Sequence, residues 1–146
     1  MAGKSLVEDT RKIFQYISYI QYPLMLVTCY YMFMPMFNKM HNFWAEYNKA
    51  LIFLGLAIGF SSLQDTRKTQ NKISRIIFES PKYSMYFIYL VFFQTLGFII
   101  FGLFGYFISK NDTIQEVSMG AFTFGMGLIG LLKSVIEMAD NHRKVE

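Results

Sequence analysis

Residues 55–82 read GLAIGFSSLQDTRKTQNKISRIIFESPK, a segment that opens as an apolar run with glycines four apart and turns basic within a few residues. A pair of long hydrophobic segments lies on each side of it. The stretch therefore reads as the cytoplasmic connection, residues 65–82, between two membrane hairpins. No helix breaker occurs between Asp65 and Pro81, which predicts that the helix entering the connection continues past the membrane surface. Ile73, Ile76 and Ile77 follow the i, i+3, i+4 spacing of one helical face, while Arg67, Lys68, Lys72 and Arg75 supply a basic surface. Such a segment can lie on an anionic membrane face or contact a partner. The other reading packs the isoleucines on the N-terminal helix and leaves the charges in water.

Outward from this connection, the composition favours a membrane protein. Of the 146 residues, 53% are apolar and 18% aromatic, and the charges cluster between long uncharged runs. Runs of roughly 18 or more apolar residues match helices crossing a ~30 Å hydrocarbon core. Four are drawn, at about 14–37, 47–64, 83–108 and 117–136. The second is the weak one, because only 15 residues separate Lys49 from Asp65, about 23 Å of helix. Pro23 cannot donate to the carbonyl of Tyr19, so a bend is expected there. Phe43, Trp44 and Tyr47 read as an interfacial aromatic belt. Ser5 with Glu8 and Thr113 with Glu116 have capping-box spacing, and Ser80 followed by Pro81 is an N-cap and N1 pair. The bulky first run lacks a small-residue cleavage site, so it is expected to remain as a span.

The resulting expectation is an all-α integral membrane fold: four transmembrane helices in one domain over residues 1–146, both termini cytoplasmic. With those spans, Lys4, Arg11, Lys12, Arg67, Lys68, Lys72, Arg75, Lys82, Lys133, Arg143 and Lys144 lie inside. That is eleven of the 14 basic residues. Lys39, Lys49 and Lys110 lie outside, and the positive-inside rule selects the orientation. The net charge of +4 is then a topology signal and not a nucleic-acid footprint.

Chemistry-bearing clusters are sparse. His41 and His142 fall on opposite faces of the expected membrane, Cys29 has no partner cysteine, and no spacing resembles a zinc or haem site. No catalytic residue, cofactor or metal is assigned. The intramembrane polar residues Gln21 and Gln94 are neutral, as are Thr28, Thr95 and Thr123, and they read as interhelical glue. Lys133 and Glu137, four apart, form a boundary pair. Gly55, Gly59, Gly102, Gly105, Gly120, Gly125, Gly127 and Gly130 mark places where helices approach closely.

Ser62, Leu63, Gln64, Asp65, Thr66, Lys68, Thr69, Gln70 and Asn71 also carry a resemblance. The stretch around them, about residues 55–82, resembles one in small four-helix membrane proteins of Bacteroidota-like bacteria, a family to which no activity is attached. The resemblance implies a bacterial inner membrane and no mechanism. The function expected is non-enzymatic: an accessory or scaffold component acting through helix packing and a basic cytoplasmic surface. Its partners would be the bilayer, anionic lipids, and a homo-oligomer or larger membrane complex. The alternative is a small oligomeric transporter or channel with its path between protomers. An enzyme acting on a lipid or quinone ranks third.

Overall fold

The computed structural model describes residues 2–38, 42–64, 66 and 72–142, with the side chains of 2–7 and 72–75 left out. Among the described residues the chain is all α. Its helices are α1 (Ala2–Ser18), α2 (Gln21–Phe37), α3 (Phe43–Ser61), α4 (Lys72–Glu79), α5 (Pro81–Phe107) and α6 (Asp112–His142).

Two of these helices, α5 and α6, are long and apolar enough to cross a membrane. With 27 and 31 residues they extend about 40 and 46 Å, more than the ~30 Å required. The expectation of four spans is corrected to two candidates. The segment drawn at 14–37 is not one helix, because the chain breaks at Tyr19 and Ile20 and leaves α2 with 17 residues, about 25 Å. Helix α3 has 19 residues but carries Glu46, Asn48 and Lys49 in its first half. The eleven-to-three distribution of basic residues assumed four crossings, and the orientation derived from it falls with them.

The breaks follow from local chemistry. The N–H groups of Tyr19, Ile20 and Tyr22 donate three residues back, to the carbonyls of Tyr16, Ile17 and Tyr19. Pro23 has no N–H, so the Tyr19 carbonyl is satisfied by Tyr22, and the chain tightens where the bend was expected. Helix α3 stops at Ser61 instead of running on. The Ser62 hydroxyl donates to the Gly59 carbonyl at 2.7 Å, and the Ser134 hydroxyl of α6 donates to the Ser62 carbonyl at 3.0 Å. The helix before Pro81 is thus the separate eight-residue α4.

The expected helix starts fare unequally. Ser80 is extended and Pro81 occupies the first turn of α5. Helix α1 begins at Ala2, upstream of Ser5, so Ser5 is inside the helix and not its cap. At α6 the cap is Asn111, two residues earlier than the Thr113–Glu116 spacing implied. Its Oδ1 accepts from the N–H of Thr113 at 3.0 Å and of Ile114 at 3.4 Å.

The main packing pairs are α3 with α6, α5 with α6 and α2 with α3, which sets the helices in the order α2–α3–α6–α5. Helix α6 is therefore central, and α5 has one long neighbour. Small residues permit both contacts of α6. A Cβ added at Gly127 would run into the backbone of Gly55, and one at Gly55 would meet the Phe124 Cα at 2.7 Å. Gly102 of α5 lies against Phe122, and Gly125 of α6 against Ile99. At the end of α6, Phe78 of α4 is buried with Val135 and Ala139, and Ile77, Phe87, Leu131 and Met138 pack around them.

Candidate functional site

The side chains singled out by sequence separate into three places. Seven of the eight glycines lie on α6 contacts: Gly55, Gly120, Gly127 and Gly130 toward α3, and Gly102, Gly105 and Gly125 toward α5. Gly120 faces Asn48, Gly130 faces Ser62 and Gly105 faces Ser118. Gly59 is the exception, with nothing within 4 Å of an added Cβ. The seven glycines are thus occupied by the chain's own helices.

The two glutamines part company. Gln21 is buried at the start of α2. Gln94 is exposed midway along α5 and lines a shallow depression of about 350 Å³ with Gly97, Phe98 and Phe101. An added Cβ at Gly97 also meets nothing within 4 Å. The hydroxyls on the apolar helices are satisfied locally, since Thr28, Thr95 and Thr123 each donate to the carbonyl four residues earlier.

Of the basic surface, Arg67 and Lys68 lie outside the described residues, as does His41, while Lys72 and Arg75 belong to the backbone of α4. The apolar side of α4 turns toward α6 and the start of α5, not toward α1: Ile77 packs against the Phe78 cluster, and Ile76 stays exposed. For Ile77 the partner is therefore not the N-terminal helix, and the side chain of Ile73 lies outside the described residues. Phe78 was the available signal, one position beyond Ile77 in the same apolar run.

A polar cleft of about 490 Å³ opens where α6 leaves its apolar stretch, and sequence reasoning did not find it. Arg11 and Phe14 of α1, Gln64 and Thr66 after α3, and Lys133 and Glu137 of α6 line it. Lys133 Nζ is 3.4 Å from Glu137 Oε1. The buried Thr66 hydroxyl donates to Glu137 Oε2 at 3.5 Å and accepts from Asn141 Nδ2 at 3.4 Å. Only the Lys133–Glu137 spacing was legible beforehand.

Near the opposite end of α3, Asn48 Oδ1 accepts from the Gly120 N–H at 2.7 Å, a cross-helix bond that ties α3 to α6. Lys49 Nζ is 3.1 Å from Glu46 Oε1 and 5.4 Å from the centre of the Tyr31 ring. The hydrogen bond to Glu46 raises the Lys49 pKa above its ordinary value. Among the described residues no group of three or more His, Cys, Asp or Glu comes together.

No protein-family model, curated protein or solved structure matches the chain. What is established is coarse: a small all-α protein with two helices able, by length and apolarity, to cross a membrane.

Proposed function

We propose that the chain is a non-enzymatic membrane protein, an accessory or scaffold component held in a bilayer by the α5–α6 hairpin and acting through helix contacts. The surface of α5 is the observation that carries this reading. Only 17% of its most apolar stretch is buried within the chain, and Tyr86, Leu90, Phe93, Phe104 and Phe107 all face outward. The accessible surface totals 10522 Å² for 17.1 kDa. A soluble monomer of that mass exposes about 7,700 Å². Burying such an outward apolar face in hydrocarbon removes the cost of exposing it to water.

Within that face, Gln94 beside Gly97 supports a contact with a second helix, a further copy of this chain or a larger complex. An amide both donates and accepts, and a glycine one turn away lets another backbone approach. Lys72 and Arg75, with Arg67 and Lys68, are proposed to contact anionic lipid or a partner. The resemblance of residues 55–82 supports a bacterial inner membrane as the compartment.

The test is purification in mild detergent. An assembly larger than one chain is expected, reduced in size by Gln94→Leu or Gly97→Leu without loss of helicity, and reconstituted liposomes should carry no gradient-driven ion flux. Flux through the purified protein overturns the accessory reading in favour of a transporter, and a monomer under all mild conditions overturns the contact on α5.

A further inference from the structure

We propose that the cleft between α1 and the end of α6 is a binding site for the headgroup of a phospholipid with a primary ammonium, of the phosphatidylethanolamine type. This rests on insertion of the α5–α6 hairpin. Lys133 and Arg11 hold the phosphate and Glu137 takes the ammonium.

Three observations carry the assignment. The first is the charge set: two cations and one carboxylate line one cleft, and Arg11 has no ionic partner among the described residues. A phosphate monoanion beside Arg11 and Lys133 gives Arg11 an ionic partner, and guanidinium suits its oxygens. The ammonium of the same headgroup then meets Glu137, so charges pair one by one although the zwitterion leaves the net charge of the cleft unchanged. The second is the order of the charges along the membrane normal. Lys133 precedes Glu137 by one turn on the helix leaving the apolar stretch, so its backbone lies about 6 Å nearer the hydrocarbon, with the two charged atoms 3.4 Å apart. In an ethanolamine lipid the phosphate is likewise the inner charge and the ammonium the outer one. Phe14, one turn beyond Arg11 on α1, offers an apolar wall for the glycerol end.

The third observation is how loosely Glu137 is held. Its oxygens lie 3.4 and 3.5 Å from Lys133 and Thr66. Tight charge-assisted bonds are ~2.7–2.9 Å. A primary ammonium brings three donors and can make such a bond. A quaternary choline has no N–H and cannot. The cleft volume, about 490 Å³, is within the range of small-molecule sites.

The experiment is native mass spectrometry of the full chain in detergent, with phosphatidylethanolamine or phosphatidylcholine of matched acyl chains. Retention of phosphatidylethanolamine several-fold above phosphatidylcholine is expected. Glu137→Gln should bring the two lipids level, and the double variant Arg11→Gln with Lys133→Gln should lower retention of both. Excess O-phosphoethanolamine, the headgroup without its chains, should leave the lipid bound; its displacement would reassign the cleft to a soluble phosphate ligand. If the variants lose their helicity, the comparison of the two lipids on the unaltered chain decides alone, and equal retention overturns the proposal. A chain that remains in alkali-washed membranes yet holds both lipids alike refutes the headgroup site only. A chain released by that wash refutes insertion as well.

Discussion

Replacing Gly127 by alanine tests the α3–α6 crossing at its closest point, and Gly59→Ala is its control on the facing helix. In a helix alanine is favoured over glycine by about 0.8–1.0 kcal/mol, and this gain applies at both positions. At Gly59 nothing stands within 4 Å of the new Cβ, so up to the full ~1 kcal/mol is expected as a gain. At Gly127 the new Cβ would lie 2.8 Å from the carbonyl carbon and 2.9 Å from the Cα of Gly55. Ordinary carbon contacts are ~3.5–4.0 Å, and these are backbone atoms that no rotamer change can move aside. Overpacking costs ~1–3 kcal/mol, and the upper end applies, leaving a net loss of about 2 kcal/mol. The two variants should thus differ by about 3 kcal/mol, roughly a hundredfold in the folding equilibrium. Titration of the purified proteins from mild detergent into sodium dodecyl sulfate, followed by far-ultraviolet ellipticity, measures the difference. A Gly127→Ala protein as stable as Gly59→Ala would refute the close crossing.

Asn48→Ala removes the acceptor of the Gly120 N–H and should cost about 1 kcal/mol in the same titration. Asn111→Ala should cost a similar ~1 kcal/mol by uncapping α6, while Thr113→Ala should cost far less; the reverse order would reinstate Thr113 as the cap. Phe78→Ala empties the cluster under α4 and should cost about 3–5 kcal/mol. Protease cutting within residues 72–79 should accelerate with it, and an unchanged cutting rate would show that α4 does not depend on Phe78.

Glycines and apolar runs were the legible part of the sequence, because a missing side chain has the same consequence wherever helices cross. Seven of eight positions follow that logic. Gly59 escapes it, since whether a glycine faces a neighbour depends on how the helix is rotated. The same ambiguity separates Gln21, which is buried, from Gln94, which faces outward. Span counting failed for a different reason. Hydropathy sums over the 14–37 run without registering that the backbone hydrogen bonds at Tyr19 and Ile20 reach three residues back instead of four, and Pro23 was the only local warning. The polar cleft was illegible because it joins residues more than a hundred positions apart, Arg11 with Lys133 and Glu137. Asn48 was missed because a single amide on α3 acquires a role only when Gly120 arrives beside it.

Cysteine labelling along α5 tests the membrane-spanning assignment most directly, because its outer residues are exposed within the chain and only lipid or a neighbouring membrane helix can shield them. In a Cys29→Ser background, which removes the exposed native thiol, the substitutions Leu90→Cys, Phe93→Cys and Phe104→Cys are compared with Lys82→Cys in intact membranes. Leu90, Phe93 and Phe104 are 59%, 66% and 59% exposed within the chain, so burial inside the fold cannot protect them. A water-soluble maleimide should label position 82 readily and leave 90, 93 and 104 unlabelled until the protein is denatured. Labelling of the three inner positions as fast as position 82, with the membrane intact, would contradict a spanning α5.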